Sequence, residues 1–164
     1  PREYYEIPIG EPDVKRVGSD VTILSIGATL YRAVKAADLF AEKGISAEVI
    51  DARSLVPFNY DKVIESVKKT GKIIIAGDAT ARGSFLNDLA ANVASIAFNY
   101  LDAAPVVLGS RNWITPCHEL EEAFFPQPEW FLDAYHEKIA PIAGYSPKAN
   151  LTSAELIKRS KAGV

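Results

Sequence analysis

The sequence is poor in the residue types that build disulfides and metal centres: it has one cysteine, two histidines and no methionine. With Cys117 alone, no internal disulfide can form, which is compatible with a reducing compartment. A zinc site needs four suitable ligands, so carboxylates would have to complete the set, and we expect no metal site. The absence of methionine and the start at Pro1 predict a fragment or a processed product.

Long hydrophobic runs and an excess of charge of one sign are also lacking. The longest apolar runs fall far short of the roughly 20 residues that a membrane span needs. The first 20 residues carry many charges and no apolar core, which excludes a secretory signal pattern. Net charge is −3 with both signs mixed, so no continuous basic face is available for phosphate backbones. We therefore expect neither a membrane nor a nucleic-acid partner.

Apolar runs of strand length alternate with helical patterns along the chain. Val21–Ile26 is a β-branched run typical of a strand, and Leu30–Lys43 has apolar residues at helical spacing. Gly44 then stands where a left-handed helix cap is expected. Further strands are predicted at 47–50, 72–76 and 105–108, with a short extended piece at 14–17, and further helices at 60–69, 85–100, 119–125 and 129–138.

This alternation predicts an α/β fold. Right-handed crossovers would place the helices on both faces of a mostly parallel open sheet. The expected architecture is a three-layer α/β/α sandwich with about five strands, including one short antiparallel edge strand. We divide the chain into an N-terminal arm (1–20), a domain (21–138) and a tail (139–164) with a short helical turn at 153–160.

The polar loop Gly77–Ser84 is the most suggestive candidate site. It follows a buried strand and opens a helix, where Asp78, Arg82, Gly83 and Ser84 could bind an anion or substrate. Asp78 and Arg82 could instead pair with each other, and a turn of this kind needs glycine and an N-cap, here Ser84. Because no dinucleotide or P-loop motif is present, turn and capping chemistry is the preferred interpretation.

Two other polar groupings also favour structural roles. Asp51 and Arg53 lie just past a strand, where an ion pair could hold the loop. Cys117 and His118 resemble a nucleophilic or metal-binding pair in composition only, because adjacent side chains point apart. We assign no catalytic, cofactor-binding or metal-binding residue.

Aromatic residues suggest a different role, in subunit association. Trp130, Phe131 and Tyr135 share one side of the predicted helix 129–138, and Trp113 lies in the preceding loop. These four residues are candidates for a subunit interface, since interfaces are rich in aromatic side chains. The other interpretation is that the helix closes the core of its own chain, and the two are compatible.

Several segments carry a resemblance to one family. The sequence resembles the C-terminal domain of the beta subunit of thiamine-diphosphate-dependent 2-oxoacid dehydrogenases, a transketolase C-terminal-type domain, over roughly residues 7–126. The matching motifs are Gly-Ser-Asp-Val-Thr at 18–22, Ile-Asp-x-Arg-x-Leu-x-Pro at 50–57, Ser-Val-x-Lys-Thr-Gly at 66–71 and Phe-x-Tyr-Leu-Asp at 98–102. The loop after the fourth strand departs from the family pattern Gly-x-Asp-x-Pro-x-Pro.

This resemblance implies a non-catalytic assembly domain. Thiamine diphosphate and magnesium would bind between a diphosphate-binding domain and the pyrimidine-binding domain of a neighbouring subunit. The arm 1–20 would enter from the upstream pyrimidine-binding domain, and no catalytic residue carries over. The whole enzyme would decarboxylate a 2-oxoacid oxidatively and acylate lipoamide, as a homodimer or a heterotetramer with an alpha subunit or region. The domain would also dock the lipoyl acyltransferase core. The isolated domain should be inactive.

Other interpretations remain open at this point. The same domain occurs in transketolase, deoxyxylulose phosphate synthase and 2-oxoacid:ferredoxin oxidoreductase. A stand-alone anion- or nucleotide-binding α/β module is the alternative from another class. The expected location is a bacterial cytoplasm, with the mitochondrial matrix as the alternative.

Overall fold

Five strands form one sheet in the computed structural model, which describes residues 2–147. The order across the sheet is β1-β3-β2-β4-β5; β1 runs antiparallel to β3, and the other neighbours are parallel. The predicted mostly parallel α/β sheet with one antiparallel edge strand is confirmed. The strands are β1 (Asp13–Arg16), β2 (Val21–Ser25), β3 (Ala47–Asp51), β4 (Ile73–Thr80) and β5 (Val106–Ser110).

The helices follow the predicted pattern closely. The predicted helix 85–100 ends in a short 3-10 turn at Phe98–Tyr100, and the predicted helix 119–125 begins with another at His118–Leu120. Gly44 has the left-handed backbone expected after the first helix. The helices are α1 (Thr29–Glu42), α2 (Asp61–Thr70), α3 (Phe85–Ala97), α4 (Glu121–Phe124) and α5 (Pro128–Lys138).

Helices cover the sheet on both faces and produce two hydrophobic clusters. Alternate residues of a strand point to opposite faces, so Val21 and Ile23 of β2 join the cluster under α1 and α5. Leu24 joins the cluster under α2 and α3. Because helices cover both faces of the sheet, the central strands are apolar throughout and do not alternate between apolar and polar residues.

Strand β4 is longer than its apolar run predicts. It continues through Thr80, which pairs with Ser110 of β5 after an irregularity in register. Gly109 makes this possible, because a Cβ there would lie 2.5 Å from the backbone oxygen of Ala79. As a result Asp78, predicted as a loop residue, belongs to β4, near the carboxyl end of that strand.

A buried polar cluster links β2 to α2. The Thr22 hydroxyl lies 2.6 Å from the Ser66 hydroxyl and 2.8 Å from the Thr70 hydroxyl. Beside it, the buried Glu48 carboxylate accepts hydrogen bonds from Lys69 and from the Gly18 amide. The motifs at 18–22 and 66–71 therefore meet in space and have a structural role.

Both predicted flanking segments contribute to the folded body. β1 lies within the predicted arm and pairs with β3. In the predicted tail, Ile142 is buried, and its amide donates to His136 Nδ1 at 2.9 Å. The Tyr145 hydroxyl donates to Asp133 at 2.6 Å. The helical turn predicted at 153–160 lies outside the described residues.

Candidate functional site

The carboxyl ends of β2 and β4 are the place where a ligand site is expected. From β2 the chain crosses through α1 to β3 on one side, and then returns through α2 to β4 on the other side. In open α/β sheets, ligands bind in the crevice at such a reversal of strand order. The backbone around Ala28 and the side chain of Asp78 occupy this crevice.

Asp78 closes this crevice with contacts inside the chain. Its carboxylate accepts hydrogen bonds from the Ala28 amide at 3.1 Å and from the Thr29 hydroxyl at 2.5 Å. Arg32 Nη1 lies 3.6 Å from the same carboxylate. The prediction that Asp78 could pair with Arg82 is wrong, because Asp78 reaches across to α1, where the unpaired amides of a helix start attract a negative charge.

The rest of the predicted anion loop remains together at the start of α3. Arg82 and Gly83 are exposed, and Ser84 occupies the predicted N-cap position with an extended backbone. Its hydroxyl makes no capping hydrogen bond and is buried without a partner. An anion-binding role for Arg82, Gly83 and Ser84 therefore stays a prediction.

The predicted Asp51–Arg53 ion pair is replaced by a longer-range one. Arg53 Nη2 lies 2.7 Å from the Asp13 carboxylate, and the Arg53 amide donates to Asp51 Oδ1 at 3.0 Å. The reason is topological: β1 pairs antiparallel with β3 and places Asp13 opposite Asp51. Local sequence patterns could not predict Asp13 as the partner of Arg53, because the two residues lie 40 positions apart.

No metal-binding geometry is found in the described part of the chain. Among residues 2–147, no three His, Cys, Asp or Glu side chains are grouped so that they could hold an ion. Cys117 is exposed, and His118 Nδ1 lies 3.7 Å from a Glu121 carboxylate oxygen at the surface. Within the same residues, no helix is long and apolar enough to cross a bilayer.

The structure separates the four aromatic interface candidates. Phe131 and Tyr135 are buried in the core of their own chain, where the Tyr135 ring contacts Phe40 edge to face at 5.4 Å. For these two residues the structure shows the second interpretation, in which the helix closes the core of its own chain, because the side of α5 that carries them faces α1. A role of the four aromatic residues in a subunit interface stays a prediction. Trp130 is partly buried, and the Arg111 guanidinium lies 3.9 Å from its ring centre. Only Trp113 is substantially open, at 50% exposure.

Two further exposed apolar residues lie close to Trp113 in the sequence and were not among the predicted candidates. Ile114 is 95% exposed and Leu120 is 56% exposed in the same connection between β5 and α4. We call these three residues the edge patch. The sequence signal that could have revealed this surface is the pair of aliphatic residues Ile114 and Leu120 in a segment without helical or strand periodicity. Exposed apolar groups of this kind mark interaction surfaces when they cluster.

The edge patch is tied to α1 and bordered by acidic residues. Trp113 contacts Phe124, whose ring packs on Phe125, and the Arg32 guanidinium lies 5.7 Å from the Phe125 ring centre. Three carboxylates next to Leu120 in the sequence, Glu119, Glu121 and Glu122, are exposed. This connection thus combines exposed apolar groups with negative charge.

Residues 10–130 match the family model described as "Transketolase, C-terminal domain". The chain belongs to this family. The matched range includes β1 and ends within α5. The predicted division into 1–20, 21–138 and 139–164 stays a prediction. The resemblance stated from the sequence motifs is confirmed at the level of the family.

Curated relatives are beta subunits of dehydrogenases. The chain is 39% identical over 130 residues to acetoin:2,6-dichlorophenolindophenol oxidoreductase subunit beta of Bacillus subtilis (strain 168), covering 79% of this chain and 38% of that protein. It is 37% identical over 140 residues to pyruvate dehydrogenase E1 component subunit beta of Acholeplasma laidlawii, covering 85% and 42%. The chain spans about two fifths of the length of these relatives.

A solved structure shares the fold. It is described as "Split gene transketolase, inactive beta4 tetramer", with a TM-score of 0.68 and 25% identity over 82% of this chain and 44% of that one. The two chains therefore share this fold. In general, loops vary more than the strands and helices that they connect.

Proposed function

We propose that this transketolase C-terminal domain is a non-catalytic assembly domain of a 2-oxoacid dehydrogenase. The whole enzyme would use thiamine diphosphate and magnesium to decarboxylate a 2-oxoacid oxidatively and would acylate lipoamide. Similarity to beta subunits of pyruvate and acetoin enzymes supports this class. The chain's short span relative to those proteins supports the placement of the cofactor in another part of the subunit.

One observation carries the proposal: the crevice at the carboxyl edge is filled from within, while apolar groups beside it are exposed. Asp78 is bound by Ala28 and Thr29 and has an arginine as its nearest cation. Hydrophobic exposure next to a closed crevice favours protein association over ligand binding.

The proposed partners follow from the chemistry of the edge patch. Trp113, Ile114 and Leu120 beside three carboxylates suit a partner surface with apolar and basic side chains. We assign this partner role to the alpha subunit or alpha region and to the lipoyl acyltransferase core. A relative described as a beta4 tetramer supports self-association as well, in a homodimer or heterotetramer. A bacterial cytoplasm is the proposed location.

Assembly of the full-length subunit with its alpha partner tests this function. Ile114→Glu should raise the Kd of the complex, measured by sedimentation, at least tenfold. The reason is that a buried unpaired charge opposes association. Val17→Glu is the matched control, since Val17 is 77% exposed and lies elsewhere on the surface. Equal sedimentation of both variants and wild type would exclude the edge patch from assembly.

A stand-alone anion- or nucleotide-binding module is the second candidate. The uncapped start of α3, with the partnerless Ser84 hydroxyl and exposed Arg82, favours it. Calorimetry with inorganic phosphate and with ATP at millimolar concentration would decide. Saturable binding that Arg82→Gln abolishes would support this alternative, whereas no heat of binding would remove it.

A further inference from the structure

The connection between β3 and α2 holds the N-terminal segment at one point. The Ser54 hydroxyl accepts a hydrogen bond from the Gly10 amide at 2.7 Å and donates to the Pro57 carbonyl at 3.3 Å. The Asn59 amide donates to the Gly10 carbonyl at 2.8 Å. Both backbone groups of Gly10 are thereby bound by the same loop.

Further hydrogen bonds bind the residues that follow Gly10. The Asn59 side-chain amide donates to Glu11 at 2.9 Å, and Lys62 Nζ donates to the Pro12 carbonyl at 3.0 Å. With Ser54 and the Arg53–Asp13 ion pair, these groups bind four consecutive residues, 10–13. We call the set Arg53, Ser54, Asn59 and Lys62 the clamp.

The backbone at the clamp is specialised for close approach. Gly10 has φ +89°, and a Cβ there would lie 3.3 Å from Pro57 Cγ and 3.4 Å from the Pro57 carbonyl oxygen. Arg53 has φ 58°, in the left-handed region that residues other than glycine seldom adopt. A strained residue is maintained when the surrounding structure fixes it, here through Asp13 and Asp51.

Side chains on the outer side of the clamp are apolar and uncovered. Ile9 is 79% exposed, Ile7 is 50% exposed and, on the loop itself, Val56 is 82% exposed. Tyr4 and Tyr5, further towards the N-terminus, are also exposed. A loop that only closed its own domain would have no need to hold an apolar segment at the surface.

We propose that the clamp, with Val56, Ile7 and Ile9 around it, is the seat for the polypeptide region that precedes Pro1 in the full-length subunit. This inference rests on the proposed function, in which the chain is one domain of a longer protein. Relatives about twice as long, and a family described as a C-terminal domain, supply the occupant.

Chain length makes the clamp effective as a seat. An extended chain spans at most about 3.3–3.6 Å per residue, so the nine residues before Gly10 reach about 30 Å. If the arm were free as far as residue 20, the reach would be about twice as long. Fixing residues 10–13 thus keeps the preceding region close to the apolar side chains and raises its effective concentration there.

The first test addresses the clamp in the chain 1–164. Ser54→Ala removes the acceptor of the Gly10 amide, so hydrogen exchange at that amide should accelerate by at least tenfold. Ser19→Ala is the matched control, because Ser19 is an exposed serine whose hydroxyl contacts only Asp20. Unchanged exchange at Gly10 in Ser54→Ala would overturn the clamp.

The second test addresses the seat in the full-length subunit. Val56→Asp should make chymotrypsin cleavage after Tyr4 and Tyr5 at least tenfold faster, since an ionised side chain opposes the apolar contact. The same substitution should leave cleavage of the chain 1–164 unchanged, and Val17→Asp is the matched control. Equal cleavage of the Val56→Asp and Val17→Asp subunits would overturn the seat.

These readouts are independent of the proposed function. Cleavage and exchange require neither cofactor nor alpha partner, so a seat can be found even when the assembly test on Ile114 fails. Conversely, intact assembly with no effect of Val56→Asp would reject the seat alone.

Discussion

The Thr29 hydroxyl donates a 2.5 Å hydrogen bond to the Asp78 carboxylate, which joins the start of α1 to the end of β4. The same carboxylate accepts the Ala28 amide, so a side chain 50 residues away in sequence caps the helix. Ala28 itself has no side chain that could do so. The helix start, which would otherwise attract an anion, is thus used to bind α1 to β4.

Asp78→Ala should destabilise the domain. The change removes a helix cap, and substitutions of capping residues by alanine cost about 0.5–2 kcal/mol. Urea unfolding followed by circular dichroism measures the effect. Arg32→Gln should cost less than about 1 kcal/mol, because partly exposed ion pairs contribute little. A larger loss in Arg32→Gln than in Asp78→Ala would contradict the capping role.

Hydrophobic patterning was sufficient to predict the fold. Val21–Ser25, the amphipathic α1 and the glycine at position 44 are local features, and a strand-helix alternation leaves few topologies. The extension of β4 to Thr80 was not predicted, because backbone pairing continued beyond the apolar run. That continuation depends on Gly109 in the neighbouring strand, which no local pattern around β4 reveals.

The candidate site was predictable only in part. Its place at the strand ends follows from topology, and Ser84 does begin α3. The partners of Asp78 and Arg53 could not be predicted, since each lies tens of residues away. Helical spacing placed Phe131 and Tyr135 on one side of α5 but could not say whether that side meets the sheet or another subunit.

Glu48→Gln should reduce stability in a pH-dependent manner. Burial raises the pKa of Glu48, but hydrogen bonds from Lys69, the Gly18 amide and Ser66 outweigh it, so the net pKa is lowered from the ordinary 4.5. The ionised side chain therefore stabilises the fold above about pH 4.5. This contribution is lost as pH falls through the lowered pKa.

The expected cost of Glu48→Gln at pH 7 is about 1–3 kcal/mol, as for hydrogen bonds to charged groups. Urea unfolding at pH 7 and pH 3 should give a smaller difference from wild type at pH 3. Glu65→Gln, on the exposed side of α2, controls for the loss of one charge and should have little effect at either pH. A cost that stays constant from pH 7 to pH 3 would show that ionisation of Glu48 is unimportant.

Thr22→Val should weaken the contact between β2 and α2. Valine keeps the shape of threonine but deprives the Ser66 and Thr70 hydroxyls of a buried partner. Thr70 keeps its hydrogen bond to the Lys72 carbonyl at 3.1 Å, so we expect a loss of about 1–2 kcal/mol. Thr80→Val is the matched control, because its hydroxyl bonds to Arg82 at an exposed position. Equal unfolding midpoints for the two variants would argue against the buried cluster.

Phe131→Ala and Trp113→Ala should separate core from surface among the aromatic candidates. Phe131 is fully buried, and removing a core phenylalanine costs about 3–5 kcal/mol. Trp113 is half exposed, so Trp113→Ala should cost well under half as much in the chain alone.

Thermal unfolding measures the first effect, and sedimentation of the full-length subunit with the alpha subunit proposed as its partner measures the second. We expect Phe131→Ala to lower Tm by about 6–20 °C, on the scale of about 2–4 °C per kcal/mol for a domain of this length. Trp113→Ala should leave Tm nearly unchanged and weaken association, because the edge patch loses its largest side chain. If Trp113→Ala associates as strongly as wild type, Trp113 is not part of the interface. If it loses as much Tm as Phe131→Ala, Trp113 belongs to the core.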